Sequence, residues 1–175
     1  MIRLRTVRAL TTLLVIAAVT GAPTAGAAVY IVRHAEKQTE ANDREVPLSE
    51  AGHARAQHIG AMLRDAGIVA IYSTDTVRTL ATAEPLARAK HLKPVLYDAS
   101  GLDAMKALAL RIRKEHPTDN VLVVGHSNTV APLVRALGSA EEIKIEGADY
   151  DGLWIVVPAP NPAPNGVPLL LRLHQ

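Results

Sequence analysis

The sequence predicts an α/β protein: a three-layer αβα sandwich with a mostly parallel central sheet and room for one antiparallel edge strand. Two observations carry this. β-rich runs alternate with helical stretches from Val29 onward, the pattern of a sheet with helices on both faces. The last two strand candidates share a short connection, which an antiparallel pair tolerates and a parallel pair does not.

Taken in order, AVYIVRH (28–34) is the first strand, an apolar β-branched run that stops abruptly at Arg33-His34. Ser49 is the expected N-cap of SEAGHARAQHIGAMLRDAG, and Gly67 its stop. IVAIYST (68–74) is the second strand, after which Asp75 caps a helix that Pro85 kinks or interrupts. KPVLYD (93–98) is a third strand, and LDAMKALALRIRKEH (102–116) a helix. NVLVVGH (120–126) is the cleanest buried strand, followed by a helix that ends at Gly138. GLWIVVP (152–158) and VPLLLRLH (167–174) close the sheet across the loop APNPAPNG.

Residues 1–28 have a different character. Arg3, Arg5 and Arg8 precede an uncharged apolar run, and small residues follow it, the layout of a secretory signal peptide. The A-x-A pattern at Ala25-Gly26-Ala27 sets the expected cut after Ala27 or Ala28. The apolar run falls short of the roughly 18–20 residues of a spanning helix, so cleavage is expected rather than anchoring. The division is then residues 1–28 as signal and 29–175 as one domain, periplasmic or secreted. The chain has no Cys, so an oxidising compartment brings no disulfide.

Lys and Arg number 19 against 17 acids, a net charge of +2. Loss of residues 1–28 removes three Arg and no acid, leaving 16 against 17. That argues against a nucleic-acid partner or a membrane surface for the mature chain. With 49% hydrophobic but 3% aromatic residues, the core must be built from Ala, Val, Leu and Ile.

Ligands of such sheets bind at the carboxyl ends of the strands. Arg33-His34 ends the first strand, Asp98 the third and His126 the fourth, while Arg78 lies in the first turn of the helix after the second. Two imidazoles, two guanidiniums and a carboxylate on one rim suit a phosphoryl group. Arg offers paired donors that match phosphate oxygens. A neutral imidazole can attack phosphorus, and a protonated second one would add charge. A carboxyl group would protonate the leaving alkoxide and then deprotonate water. Asp98 is the expected acid; Asp103 fits a helix start better.

The segment VRHAEK (32–37) resembles the Arg-His-Gly/Ala signature of the histidine phosphatase superfamily, the phosphoglycerate-mutase-like clan. PLSEAGHARAQ (47–57), IYSTDTVRTLATAEPLA (71–87) and VLVVGHSNTV (121–130) resemble its other segments, in order, and the likeness runs roughly from Val29 to Pro158. The resemblance implies a phosphohistidine on His34, with Arg33 and Arg78 on phosphoryl oxygens and His126 completing the pocket. It implies no metal or organic cofactor. Many family members carry a Glu acid in a segment unmatched here. Without an acid, substrates would need good leaving groups, such as phosphoramidates.

The expected activity is therefore phosphomonoester hydrolysis on a small-molecule substrate. The alternatives are a phosphohistidine or phosphoramidate protein phosphatase and a non-catalytic phosphate-binding module of the same fold. A mutase is disfavoured because the mature domain has little room for enclosing inserts. Glu36 and Lys37 read as a solvated pair as readily as loop-ordering residues. Ser127 and Asn128 read as caps. Tyr150-Asp151, ahead of the Trp154 strand, is a weak candidate for bordering the site. His53 and His58 are five apart, the wrong step for one helical face, and read as surface residues; no zinc ligand set stands out.

Overall fold

The structure is a computed structural model describing residues 27–39, 44–158 and 168–175. The elements are β1 (Val29–Arg33), α1 (Glu50–Met62), β2 (Ile68–Ser73), α2 (Val77–Lys90), β3 (Val95–Leu96), α3 (Leu102–Glu115), β4 (Asn120–Gly125), α4 (Ser127–Ala136), β5 (Gly152–Val157) and β6 (Leu169–His174). The six strands form one sheet in the order β3-β2-β4-β1-β5-β6. β3, β2, β4 and β1 are mutually parallel. The antiparallel strand is β5, one in from the edge, flanked by β1 and β6. Of the signal-peptide reading, only Ala27 and Ala28 fall within the described residues, and the loop APNPAPNG lies outside them. No helix among the described residues is long and apolar enough to cross a membrane.

The middle strands are apolar on both faces because helices cover both. On one face, Val32, Ile71, Leu122 and Val124 pack against Ile59 and Leu63 beside α1 and Ala83, Leu86 and Ala87 of α2. On the other, Ile31, Val121, Val123 and Trp154 pack against Met105, Leu108 and Ile112 of α3 and Val130, Leu133 and Val134 of α4. Successive residues of β1 and β4 thus serve opposite layers, as the two-residue period of a strand requires. Each fully buried Leu or Ile contributes about 1.5–3 kcal/mol.

Three local expectations need correction. Pro85 does not interrupt α2, which runs unbroken from Val77 to Lys90. α1 packs closely against its ring at Gly60, where a Cβ would lie 2.9 Å from the Pro85 Cβ. The cap of α2 is Thr76, whose hydroxyl accepts from Thr79 N, whereas Asp75 is exposed and paired with Arg44. β3 is only two residues long, and its partners on β2 are Tyr72 and Ser73.

The start of α1 is built against the loop that follows β1. Ser49 Oγ accepts from Gly52 N at 3.1 Å, while Ser49 N donates to Glu36 O at 2.9 Å. Gly52 faces that loop so closely that a Cβ would sit 2.1 Å from Glu36 O, a main-chain atom with little freedom to give. Alanine there would gain about 1 kcal/mol of helix propensity. Overpacking opposes it with roughly 1–3 kcal/mol, and backbone contact places this case at the upper end. Gly52→Ala is therefore expected to destabilise the fold by about 2 kcal/mol in urea denaturation; a stabilised variant would refute the packing argument.

Candidate active site

Strand register builds the centre of the site. In the β1–β4 ladder Arg33 pairs with Gly125, so the next residue of each strand, His34 and His126, leaves the sheet at the same level. His34 N donates to Gly125 O at 2.8 Å, which extends the ladder by one bond. The two imidazole centroids lie 5.3 Å apart with the rings inclined by 64°. Gly125 must stay small: a Cβ would meet Thr129 Oγ1 at 2.4 Å and the Tyr97 hydroxyl at 2.7 Å.

His34 is 4% exposed and its Nδ1 lies 2.7 Å from Ala35 O. A carbonyl can only accept, so Nδ1 carries the hydrogen and the Nε2 lone pair is free. Burial pushes the His34 pKa down to about 3, against the Ala35 hydrogen bond that raises it; His126, Arg78 and Arg33 lower it further. Burial likewise pushes His126 down to about 4, reinforced by Arg78 and Arg33. The expectation of a protonated second imidazole is thus corrected: desolvation and two guanidiniums keep His126 neutral at pH 7 in the protein alone. Its Nε2 is bonded to Thr74 Oγ1 at 2.8 Å.

The two arginines are 6% and 5% exposed. Arg33 is gripped by main chain: its Nη1 donates to the carbonyls of Glu146 (3.0 Å), Gly147 (3.0 Å) and Asp149 (3.1 Å). Its guanidinium carbon sits 4.0 Å from the centroid of the Tyr150 ring, which is itself 5.9 Å from the His34 ring. Arg33 Nε is buried and makes no hydrogen bond among the described residues. Arg78 is the second residue of α2, tied through Thr82 to Ala35 beside His34, and its charge lowers both histidine pKa values.

Four of the five sequence candidates therefore come together. Asp98 does not join them. β3 ends at Leu96, and Asp98 lies in the exposed loop beyond, where its carboxylate accepts from Ser100 N at 2.9 Å and Ser100 Oγ at 2.6 Å. Asp103 is exposed in the first turn of α3 and pairs with Lys106.

Other participants escaped the sequence reading. Of the two readings of Glu36, loop ordering fits better than a solvated pair, though its partner, Arg55, was not foreseen. The half-buried Glu36 carboxylate accepts from Arg55 Nε and, at 2.7 Å, from Arg55 Nη2. Burial alone would raise its pKa, but the Arg55 hydrogen bonds prevail and hold it below the usual carboxylate value. Arg55 Nη1 also donates to Gln175 O at 2.9 Å. At the start of α4 the cap is His126 itself, whose N–H donates to Thr129 Oγ1; Ser127 and Asn128 are exposed. No His, Asp or Glu cluster among the described residues could hold a metal ion.

Residues 29–100 match the family profile of the histidine phosphatase superfamily (branch 1). A Salmonella arizonae protein described as "Probable phosphoglycerate mutase GpmB" is 41% identical over 66 residues, 35% of this chain. That alignment spans only 31% of the length of the curated relative. Among solved structures, the protein histidine phosphatase SixA complexed with tungstate superposes with a TM-score of 0.66 at 18% identity, covering 84% of this chain and 96% of that one. A mycobacterial glucosyl-3-phosphoglycerate phosphatase with inorganic phosphate gives 0.66 at 15% identity, covering 85% and 97%. Likeness at those identities speaks for the fold.

The depressed histidines make stability depend on pH with a definite sign. Below about pH 6.5 the unfolded chain takes up protons that folded His34 and His126 refuse until about pH 3 and 4. Stability is therefore expected to fall as pH drops from 6.5 towards 4, and the double variant His34→Asn, His126→Gln should lose less over that window. Urea midpoints measured along the series check this; equal slopes would contradict the assignment.

Proposed function

From a chain that carries the histidine phosphatase superfamily pattern over residues 29–100 and that superfamily's fold, we propose a phosphatase working through a phosphohistidine on His34. The observation that carries the reading is the Nδ1–H bond from His34 to Ala35 O, which leaves the Nε2 lone pair available, with the charges of Arg33 and Arg78 acting on the ring.

In the first half-reaction, Nε2 attacks phosphorus and the bond from phosphorus to the leaving oxygen breaks as the N–P bond forms. In the second, water attacks phosphorus, the N–P bond breaks and inorganic phosphate leaves. Charge on the equatorial oxygens meets Arg33, whose buried Nε has a hydrogen to give, and Arg78. A dianion between them would also draw a proton onto His126, reversing the effect of burial.

The substrate we propose is a phosphomonoester. A second reading, phosphoramidate or phosphohistidine hydrolysis, is favoured by one observation: the Asp98 carboxylate is turned onto Ser100. A phosphoramidate nitrogen that already carries its proton, or a phosphorylated imidazole, departs as a neutral molecule and needs no enzyme acid, whereas an alkoxide does. SixA, named as a protein histidine phosphatase, shares the fold.

We also propose export to the periplasm or beyond, on the charge and apolarity pattern of residues 1–28. Ala28 N donates to Asn120 Oδ1 and its carbonyl accepts from Val121 N. A cut after Ala28 would remove both bonds, so the cut after Ala27 is the one we favour. N-terminal sequencing of exported protein should begin at Ala28; an intact residue 1 would refute processing.

The enzyme reading is tested with p-nitrophenyl phosphate and phosphoramidate as parallel substrates. His34→Ala is expected to abolish turnover of both, and Arg78→Ala to raise the barrier by on the order of 2–4 kcal/mol. Near-normal rates in both variants would refute the roles, and binding without turnover in the unaltered protein would support a phosphate-binding module instead.

A further inference from the structure

Thr82 lies one turn beyond Arg78 in α2 and is 1% exposed. Its hydroxyl donates to Arg78 O at 2.7 Å and accepts from Ala35 N at 3.0 Å. The direction admits no exchange, because the Arg78 carbonyl can only accept and the Ala35 amide can only donate. The first bond, to the carbonyl four residues earlier, is commonplace for Thr in a helix. The second is not. It crosses from α2 to the residue directly after His34.

On its other side Ala35 is held just as firmly. Glu36 O accepts from Ser49 N at 2.9 Å, the Glu36 carboxylate is gripped by Arg55, and Gly52 closes against the same peptide. Ala35 itself is fully buried against Leu48 and Ala56. The amide before the Ala35 carbonyl is thus tied to Thr82 and the carbonyl after it to α1, so the chain is held on both sides of the peptide that carries the Ala35 carbonyl. That carbonyl points at His34 Nδ1, 2.7 Å away.

We propose that Thr82 is the positioning residue of the site: one hydroxyl anchors the main chain at the Ala35 amide, directly before the carbonyl that sets the tautomer of His34, while fixing the backbone of Arg78 in register with it. The inference rests on the phosphohistidine reading for its consequence in turnover, though not for its structural content. Without the hydroxyl, the main chain at Ala35 can shift, its carbonyl can draw away from Nδ1, and the imidazole hydrogen can move to Nε2, where no lone pair then remains for phosphorus.

Three variants test it. Thr82→Val keeps the shape and removes the hydroxyl; Thr82→Ser keeps the hydroxyl and removes the methyl; Thr82→Cys substitutes a weak donor and acceptor. Nitrogen-15 NMR of the His34 ring reads the tautomer without any turnover. The expected result is hydrogen on Nδ1 in the unaltered protein and in Thr82→Ser, partial transfer to Nε2 in Thr82→Cys, and more in Thr82→Val. With p-nitrophenyl phosphate, kcat should fall about tenfold to a hundredfold in Thr82→Val with KM little changed, and recover in Thr82→Ser. If Thr82→Val does not fold, Ser and Cys still rank the hydroxyl against the methyl. An unchanged tautomer in Thr82→Cys, or a loss in Thr82→Ser as large as in Thr82→Cys, would overturn the proposal. A tautomer that follows the hydroxyl in a protein with no phosphatase activity would instead sink the enzyme reading and leave the positioning role standing.

Discussion

The pairing of Arg33 with Gly125 is the constraint from which the site follows. Two parallel neighbours in a sheet share a level, so fixing one pair fixes what leaves the sheet on either side of it. Here His34 and His126 leave together, and Thr74 follows the Ser73 end of β2 on the far side of β4. A slip of one residue in this ladder would turn every side chain of β1 to the opposite layer. The apolar clusters on the two faces therefore defend the site geometry: the core that makes the strands bury also makes them end in step.

Charge at that rim is organised against the histidines becoming cations. Both are desolvated and both feel Arg33 and Arg78, so the resting positive charge belongs to the guanidiniums alone. This suits nucleophilic attack, for which an imidazolium has no lone pair to offer. It also separates tasks between residue types: arginine supplies charge that no accessible pH removes, and histidine supplies a lone pair. The hydroxyls of Thr74 and Thr82 and the Ala35 carbonyl then decide where the remaining hydrogens sit.

The sequence made the strand ends and their polar residues legible, because buried parallel strands are apolar runs whose interruption is conspicuous. His34, Arg33 and His126 stand at such interruptions, and Arg78 follows at a helix start. Asp98 misled because KPVLYD looks like a longer strand than it is; only Val95 and Leu96 pair, so Asp98 lies two residues past the sheet. Pro85 misled because its packing partner, Gly60, lies on another helix. Arg55 and Thr82 lie within segments that resemble the superfamily's, yet their partners could not be read there. Their roles lie in contacts made across the fold, with Glu36 and Ala35, which a helical segment does not announce.

The cradle around Arg33 has an evolutionary corollary. Its three oxygens belong to the main chain, which every amino acid supplies alike. Apart from the Asp149 carboxylate, which closes the turn onto Glu146 N, and the Tyr150 ring stacked on the guanidinium, that loop can drift in composition without loosening its hold. Insertions and deletions cannot be absorbed so easily, since they would carry the oxygens out of reach. Kinship here should therefore persist as a conserved spacing long after the letters have diverged, a kind of ancestry that alignments scored by identity overlook.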